Sequence, residues 1–182
     1  EKGEDAEGCQ RWLTAWDFIA AVTPDDITTV QAADESLPTF LSLDHFLRTL
    51  SQRLASVADT DQSFHEQRIE FCRAVCDRFP DTDDELLLDL RHALADSLAA
   101  LGREDEHLTE LNSLIKAYPD DPWAYFEKAE RYRHQSTDAT TSDDLEHAIK
   151  LYRQAIERGI EQESTVEARI EEIEERLADM DR

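Results

Sequence analysis

The chain contains 182 residues and has a formal net charge of −24, because 43 aspartates and glutamates outnumber 19 lysines and arginines. So negative a surface repels phosphate backbones and anionic lipid headgroups, and we expect neither nucleic-acid nor membrane partners. Hydrophobic residues make up 40% of the chain and only four glycines and five prolines interrupt it, which predicts an all-α globular protein.

The first predicted helix spans residues 9–22 and follows a polar stretch, 1–8, that we expect to fray. Trp12 and Trp16 lie four residues apart in this helix and therefore share one of its faces. Large aromatic side chains usually anchor a hydrophobic core, so we predict that both pack inside the protein. Residues 27–42 lack a helical period and are expected to form a loop or short helices.

Two amphipathic helices follow, at 44–58 and 63–78. Ser63 and Glu66 have the spacing of a capping box, in which a hydroxyl and a carboxylate satisfy the free amides at a helix start. The sequence Phe79-Pro80-Asp81 then ends the second helix. Together these features predict a helical hairpin.

The same ending recurs at Tyr118-Pro119-Asp120, and the two prolines are 39 positions apart, which indicates an internal repeat. Its first helix begins with a second capping-box pattern, Thr82 and Glu85. Gly102 stands where a left-handed helix end belongs, and a return helix is predicted at 104–117.

A third hairpin begins at Asp121-Pro122, where a capping aspartate precedes a proline suited to the first helical turn. Its helices are predicted at 123–134 and 143–158, and a Ser- and Thr-rich stretch, 135–142, is expected to form a surface loop between them. Gly159 ends this hairpin.

A last helix is predicted at 164–181, with Ser164 and Glu167 as its capping box. Its apolar residues alternate in steps of four and three, but this seam is shorter than the roughly three to four heptads of a coiled coil. We expect the helix to cap the exposed face of the last repeat, and dimerisation through the seam is the alternative. The seam residues are Val166, Ile170, Ile173 and Leu177.

These repeating hairpins resemble the tetratricopeptide repeat over residues 84–158. The core positions of that family are matched in the first unit by Leu94, Ala95, Leu98, Gly102, Leu111, Leu114 and Pro119. In the second unit they are matched by Tyr125, Ala129, Tyr132, Ala148, Tyr152 and Ala155. His107 departs from the family pattern, which prefers alanine there.

The resemblance implies antiparallel helical hairpins stacked as a short right-handed solenoid. An N-terminal helical segment with an irregular linker is expected at 1–42, and a tetratricopeptide-like domain at 43–182. The hairpins of that domain are expected at 43–80, 84–119 and 122–159, followed by a C-terminal capping helix at 164–181.

Two further resemblances concern the source and the context of the chain. Only four basic residues are lysines, and carboxylate excess with scarce lysine resembles haloarchaeal proteins, which implies a halophilic protein whose self-repulsion is screened by salt. An ordinary acidic protein and an acidic groove for a basic partner are the alternatives. The order of Trp12, Trp16 and the stretch 68–72 is similar to the helical region beside SEC-C type zinc motifs, whose zinc-binding residues this chain lacks.

The three cysteines, Cys9, Cys72 and Cys76, are too few for a disulfide framework, so a reducing cytoplasm is the expected location. Cys72 and Cys76 lie four residues apart, with His65 seven residues before the first. Three ligands on an apolar stripe, without a fourth, favour buried cysteines over a zinc site. We therefore expect neither a metal nor a cofactor.

No motif of a nucleophilic hydrolase, a phosphate-binding loop or a zinc protease occurs in the chain, so we expect no catalytic activity. A hydrolase whose residues come from several helices is the enzymatic alternative. The resemblance implies instead that the first helix of each hairpin lines a concave groove. The groove positions that packing does not require are Asp89, His92, Asp96, Trp123, Phe126, Glu130 and Arg133.

Aromatic anchors ringed by charge suit peptide recognition, whereas packing on the neighbouring hairpin is the alternative role of Trp123 and Phe126. The family's basic clamp for carboxylates is not supported, because His92 and Asp96 stand where it uses lysine and asparagine. We predict an interaction adaptor, monomeric or homodimeric, that holds a neutral or basic segment of a protein partner, either peptide-like or helical. A structural or oligomerisation domain, alone or appended to a zinc-binding region outside this chain, is the alternative.

Overall fold

The computed structural model describes residues 2–37, 42–133 and 141–180, and in these residues all regular structure is helical. This confirms the predicted all-α class. The nine helices of the described ranges are α1 (Lys2–Val22), α2 (Val30–Ser36), α3 (Leu43–Ala58), α4 (Ser63–Arg78), α5 (Asp84–Ala100), α6 (Glu104–Ala117), α7 (Pro122–Arg133), α8 (Ser142–Glu157) and α9 (Glu163–Met180).

The chain divides into two compact units, Glu1–His107 and Leu108–Arg182, with the boundary inside α6. Residues of α1 and α2 belong to the hydrophobic core of the first unit. The stretch predicted to fray is also helical, because α1 already begins at Lys2. None of the helices in the described ranges is long and apolar enough to cross a membrane.

Aromatic contacts attach α1 to the hairpin formed by α3 and α4. Trp16 is only 3% exposed and meets the rings of Phe71 and Phe79 edge-on, at centroid distances of 5.7 and 6.2 Å. Trp12 is partly buried and stacks on Phe46 at 5.0 Å. The predicted core role of both tryptophans is therefore confirmed, and these rings explain why α1 belongs to the first unit.

Arg78, at the end of α4, holds the connection between α1 and α2. Its guanidinium donates hydrogen bonds of 2.7 Å to the carbonyl oxygens of Thr23, Pro24 and Ile27. Charge-assisted hydrogen bonds are among the stronger ones in proteins, and these satisfy three backbone acceptors outside regular structure. The irregular connection is thus fixed by one side chain.

The predicted capping boxes at Ser63 and Thr82 are wrong. Asp61 instead accepts hydrogen bonds from the amide and hydroxyl of Ser63, at 3.0 and 2.7 Å. The hydroxyl of Thr82 accepts a bond from the amide of Val30, 52 residues away, and Asp83 caps α5 in its place. The hydroxyl of Thr82 therefore makes a tertiary contact and does not cap α5.

Other helix ends follow the sequence closely. Gly102 has a φ angle of 64°, the left-handed conformation predicted for it, and Gly159 has a φ angle of 81° in the same region. Asp121 accepts bonds from the amides of Trp123 and Ala124, as expected of the cap before Pro122. α9 begins one residue before the predicted cap Ser164. A capping box that was not predicted opens α8, formed by Thr141 and Asp144.

The core of the second unit includes three alanines from α7 and α8. Ala129 of α7 meets Ala148 and Ala155 of α8 in one cluster, and all three are fully buried, which lets the two helices lie close together. α9 covers this core with Val166, Ile170 and Ile173, which are 0%, 8% and 1% exposed. Residues 135–140 of the predicted loop lie outside the described residues.

We predict that Arg78→Met lowers the free energy of unfolding of the first unit by about 2 kcal/mol, because three carbonyl groups lose a charged donor. The measurement is urea unfolding followed by fluorescence in a Trp123→Phe background, which leaves Trp12 and Trp16 as reporters. Arg73→Met is the matched control, since Arg73 forms an exposed ion pair with Glu106, and such pairs contribute little. Equal stability of the two variants would contradict this role of Arg78.

Candidate functional site

A pocket of about 320 Å³ opens in the first unit between α3, α4 and α5, and we call it the α3–α5 pocket. It brings together all three groove residues that were predicted in this unit. Its lining residues are Arg48, Ser51, Gln52, Arg68, Asp89, Leu90, His92, Ala93 and Asp96.

The helical period of α5 places these residues on one side. Asp89, His92 and Asp96 are spaced by three and four, so they follow one another along a single face beside the buried leucine stripe. Leu90, which is 1% exposed, and Ala93, which is 5% exposed, lie between them. Because the side chain of alanine ends at its β-carbon, Ala93 leaves open space that forms part of the pocket.

Arg68 of α4 connects the helices on both sides of the pocket. Its Nε donates to the hydroxyl of Ser51 on α3, and its Nη1 donates to the hydroxyl of Ser97 on α5, each at 3.3 Å. Both serines are buried, at 5% and 0% exposure. Neutral hydroxyls satisfy the donors of Arg68 without cancelling its charge, so the guanidinium stays a positive centre in the pocket wall.

Asp96 is the carboxylate on which this positive centre acts. The side chain keeps contact with solvent, but the surrounding helices desolvate its carboxylate, and this raises the pKa of Asp96 above its ordinary value. The charges of Arg68, His92 and His65 act in the opposite direction and do not offset the burial. The ionised carboxylate is therefore incompletely stabilised by its own protein.

Arg48, which lines the pocket, is surrounded by carboxylates. It lies within 3.1 Å of Asp44, within 3.8 Å of Glu85, and in direct contact with Asp89. Three carboxylates thus share one guanidinium whose side chain is 25% exposed. Of these three carboxylates, that of Asp89 belongs to a residue that also lines the pocket.

The predicted groove residues of α7 take part in a different arrangement inside the second unit. Glu130 accepts hydrogen bonds from the hydroxyl of Tyr152, from Arg169 and from Arg133. Burial alone would raise the pKa of Glu130, but these bonds and the two arginine charges outweigh it and lower the pKa. Glu130 therefore joins α7 to both α8 and α9.

Phe126 and Arg133 have partners in the same helices. The ring of Phe126 lies 5.8 Å from that of Tyr152, and the guanidinium of Arg169 is 4.8 Å from its centre. Arg133 forms an ion pair with Glu172 of α9 at 3.2 Å. The packing role considered for Phe126 accounts for its position, whereas the side chain of Trp123 is half-buried.

Sequence reasoning did not find Arg48, Ser51 or Arg68. The sequence does contain one signal for Ser51, because this polar residue interrupts a stripe of leucines at positions 47, 50 and 54 that are fully buried. A serine in such a stripe needs a hydrogen-bond partner. The partner, Arg68, comes from the next helix of the hairpin, and only the structure shows this.

The cysteines have the surroundings of core residues. Cys72 is 1% exposed, and burial raises the pKa of its thiol to about 12, so the sulfur stays protonated at neutral pH. Among the residues that the structure describes, no three His, Cys, Asp or Glu side chains are grouped in a way that could hold a metal ion.

Residues 88–131 match the family model of the tetratricopeptide repeat. This segment of the chain, from α5 to α7, is similar to a tetratricopeptide repeat. The match includes Asp89, His92 and Asp96, and it confirms the resemblance over this segment. Tetratricopeptide repeats are typically non-catalytic interaction modules, which suggests a role in binding other proteins. No curated protein and no solved structure matches the chain.

We predict that Asp96→Asn stabilises the first unit at neutral pH, because it removes a carboxylate whose charged form is disfavoured in the folded protein. A carboxylate with a raised pKa lowers stability where it is ionised, so the advantage should shrink as the pH falls through the native pKa of Asp96. Urea unfolding of both proteins across this pH range measures the effect. A variant that is less stable at neutral pH would contradict it.

Proposed function

We propose that this protein is a non-catalytic interaction adaptor that holds a neutral or basic segment of a protein partner in the α3–α5 pocket. The observation that carries the proposal is the convergence of Asp89, His92 and Asp96, from the segment matching a tetratricopeptide repeat, on one open pocket. α3 and α5 are the first helices of the predicted hairpins at 43–80 and 84–119, which is where the family resemblance puts a binding groove.

The charges of the pocket support a basic side chain in the bound segment. A lysine or arginine that enters would meet the carboxylates of Asp96 and Asp89, which both line the pocket. Asp96 would gain the cation that its own surroundings supply incompletely, so binding would recover part of its desolvation cost.

Arg68 gives the pocket a donor as well. Two of its N–H groups are used by Ser51 and Ser97, and a guanidinium has five. The others suit a backbone carbonyl of an extended segment, which needs a hydrogen-bond partner once it is removed from water. Donor and acceptors on opposite sides of one pocket orient a peptide as well as attract it.

Within this proposal, the groove residues of α7 serve a structural role. Phe126, Glu130 and Arg133 contact α8 and α9, so we assign them to the attachment of the last helix. The seam residues of α9 likewise pack on the core of the second unit, which favours the capping role over a dimer seam.

Selection from a displayed library of random peptides tests the proposal. We predict that the wild-type protein enriches peptides that contain lysine or arginine and are neutral or basic overall. Asp89→Asn combined with Asp96→Asn should lose this enrichment, because both pocket carboxylates are removed. The matched control is Asp25→Asn with Asp26→Asn, which changes the net charge equally in an exposed turn.

The control variant distinguishes a specific pocket from general attraction to an acidic protein. Equal loss of enrichment in both variants would mean that net charge, not the pocket, collects the peptides. Enrichment of acidic peptides, or selection that neither variant changes, would contradict the proposed function directly.

A further inference from the structure

Two histidines lie close to Asp96, and peptide binding as described so far gives them no role. His92 lines the α3–α5 pocket one helical turn before Asp96 on α5. His65 lies on α4, where its Nδ1 is 3.4 Å from the hydroxyl of Ser97, the same hydroxyl to which Arg68 donates at 3.3 Å. The charges of both imidazoles act on the carboxylate of Asp96. Histidine is the side chain whose charge ordinarily changes between about pH 5 and 8, so this pair can make the pocket sensitive to pH.

The other groups around Asp96 keep their charge over this range. Arg68, on α4, is a guanidinium and stays cationic. Cys72, also on α4, is buried, which raises the pKa of its thiol to about 12, so it stays neutral. From α3, Arg48 is in direct contact with the carboxylate of Asp89, and such an ion pair favours the charged form of both partners. Among the described residues that line the pocket or act on Asp96, the two histidines and Asp96 itself are left to respond to pH.

Acidification changes the charge of all three groups in the same direction. Each imidazole gains a positive charge, and Asp96 loses its negative charge when it binds a proton. Burial raises the pKa of Asp96 above its ordinary value, so this proton is bound at a higher pH than by an exposed aspartate. Two guanidiniums and two carboxylates line the pocket and balance each other at neutral pH, whereas the acidified pocket is positive.

We propose that the α3–α5 pocket holds a basic segment at neutral pH and releases it on mild acidification, through the protonation of His65 and His92. This inference rests on the proposed function and adds a means of regulating it. At neutral pH the lysine or arginine of the ligand supplies the cation that Asp96 lacks. At acid pH the two imidazolium groups supply it from within the protein, and they also repel the cation of the ligand.

The direction of the effect follows from the protonation states that the ligand favours. A bound cation favours the ionised form of Asp96 and the neutral form of each histidine, so binding releases protons. By linkage, a lower pH must then weaken binding. A group whose pKa shifts by one unit on binding contributes up to about tenfold in affinity, so the three groups together should weaken binding about tenfold or more.

NMR titrations of the ¹⁵N-labelled protein with a short peptide of arginine, glycine and serine test the inference. Acetylation and amidation of the peptide leave the guanidinium as its charged group, so any pH dependence belongs to the protein. The quantity compared is the ratio of the dissociation constant at about pH 5.5 to that at about pH 7.5, with the ionic strength held constant. For the wild type we expect a ratio of about ten or more.

Histidine variants show which groups cause the pH dependence. His65→Gln combined with His92→Gln should lower the ratio by about threefold or more, because glutamine gains no charge at acid pH. The matched control is His45→Gln with His147→Gln, which replaces two histidines that do not line the pocket and should keep the wild-type ratio. Because each ratio is taken within one protein, a difference in absolute affinity between variants does not affect the comparison.

The outcomes separate this inference from the proposed function. A peptide that binds at neutral pH, and binds as tightly or more tightly at acid pH, would overturn the inference and leave the proposed function standing. An equal ratio in the two double variants would also overturn it, since the pocket histidines would then have no special part. Absence of binding at neutral pH would contradict the proposed function, and the inference with it.

Discussion

The hydrogen bonds of Arg68 are the interaction on which the candidate site depends. A guanidinium drawn away from water must find acceptors, and Arg68 finds them on two helices at once, in the buried hydroxyls of Ser51 and Ser97. α3 and α5 are thereby held on either side of α4 with a polar group between them. The guanidinium of Arg68 forms part of the wall of the α3–α5 pocket. Its charge partly compensates the desolvation of Asp96.

The pocket illustrates how a binding site departs from what stability alone favours. Ser51 interrupts a stripe of buried leucines, and Asp96 holds its charge at a cost. Neither residue improves packing, and both give the pocket features that a partner can use.

Local periodicity and backbone chemistry made much of the fold predictable. The bounds of α4 and α6 match the predicted helices residue for residue, and Gly102 has the left-handed conformation that its position required. One error came from a contact distant in sequence, because Thr82 accepts a hydrogen bond from the amide of Val30 and does not cap its own helix. Glu130, predicted to line a groove, accepts a hydrogen bond from Arg169, 39 residues later. The pocket was predictable in part. The helical period of α5 shows that its polar residues share one face, whereas Arg68 reaches the pocket from α4. Salt adaptation, inferred from composition, stays a prediction.

The central claim is that a basic segment binds between α3 and α5, and an NMR titration tests it most directly. Backbone amide shifts of the ¹⁵N-labelled protein would be followed as a short arginine-containing peptide is added. The account predicts that the largest shifts cluster at Ser51, His92 and Asp96, and that Asp89→Asn with Asp96→Asn abolishes them. Shifts concentrated around Trp123, on α7, or spread evenly over the acidic surface, would contradict it.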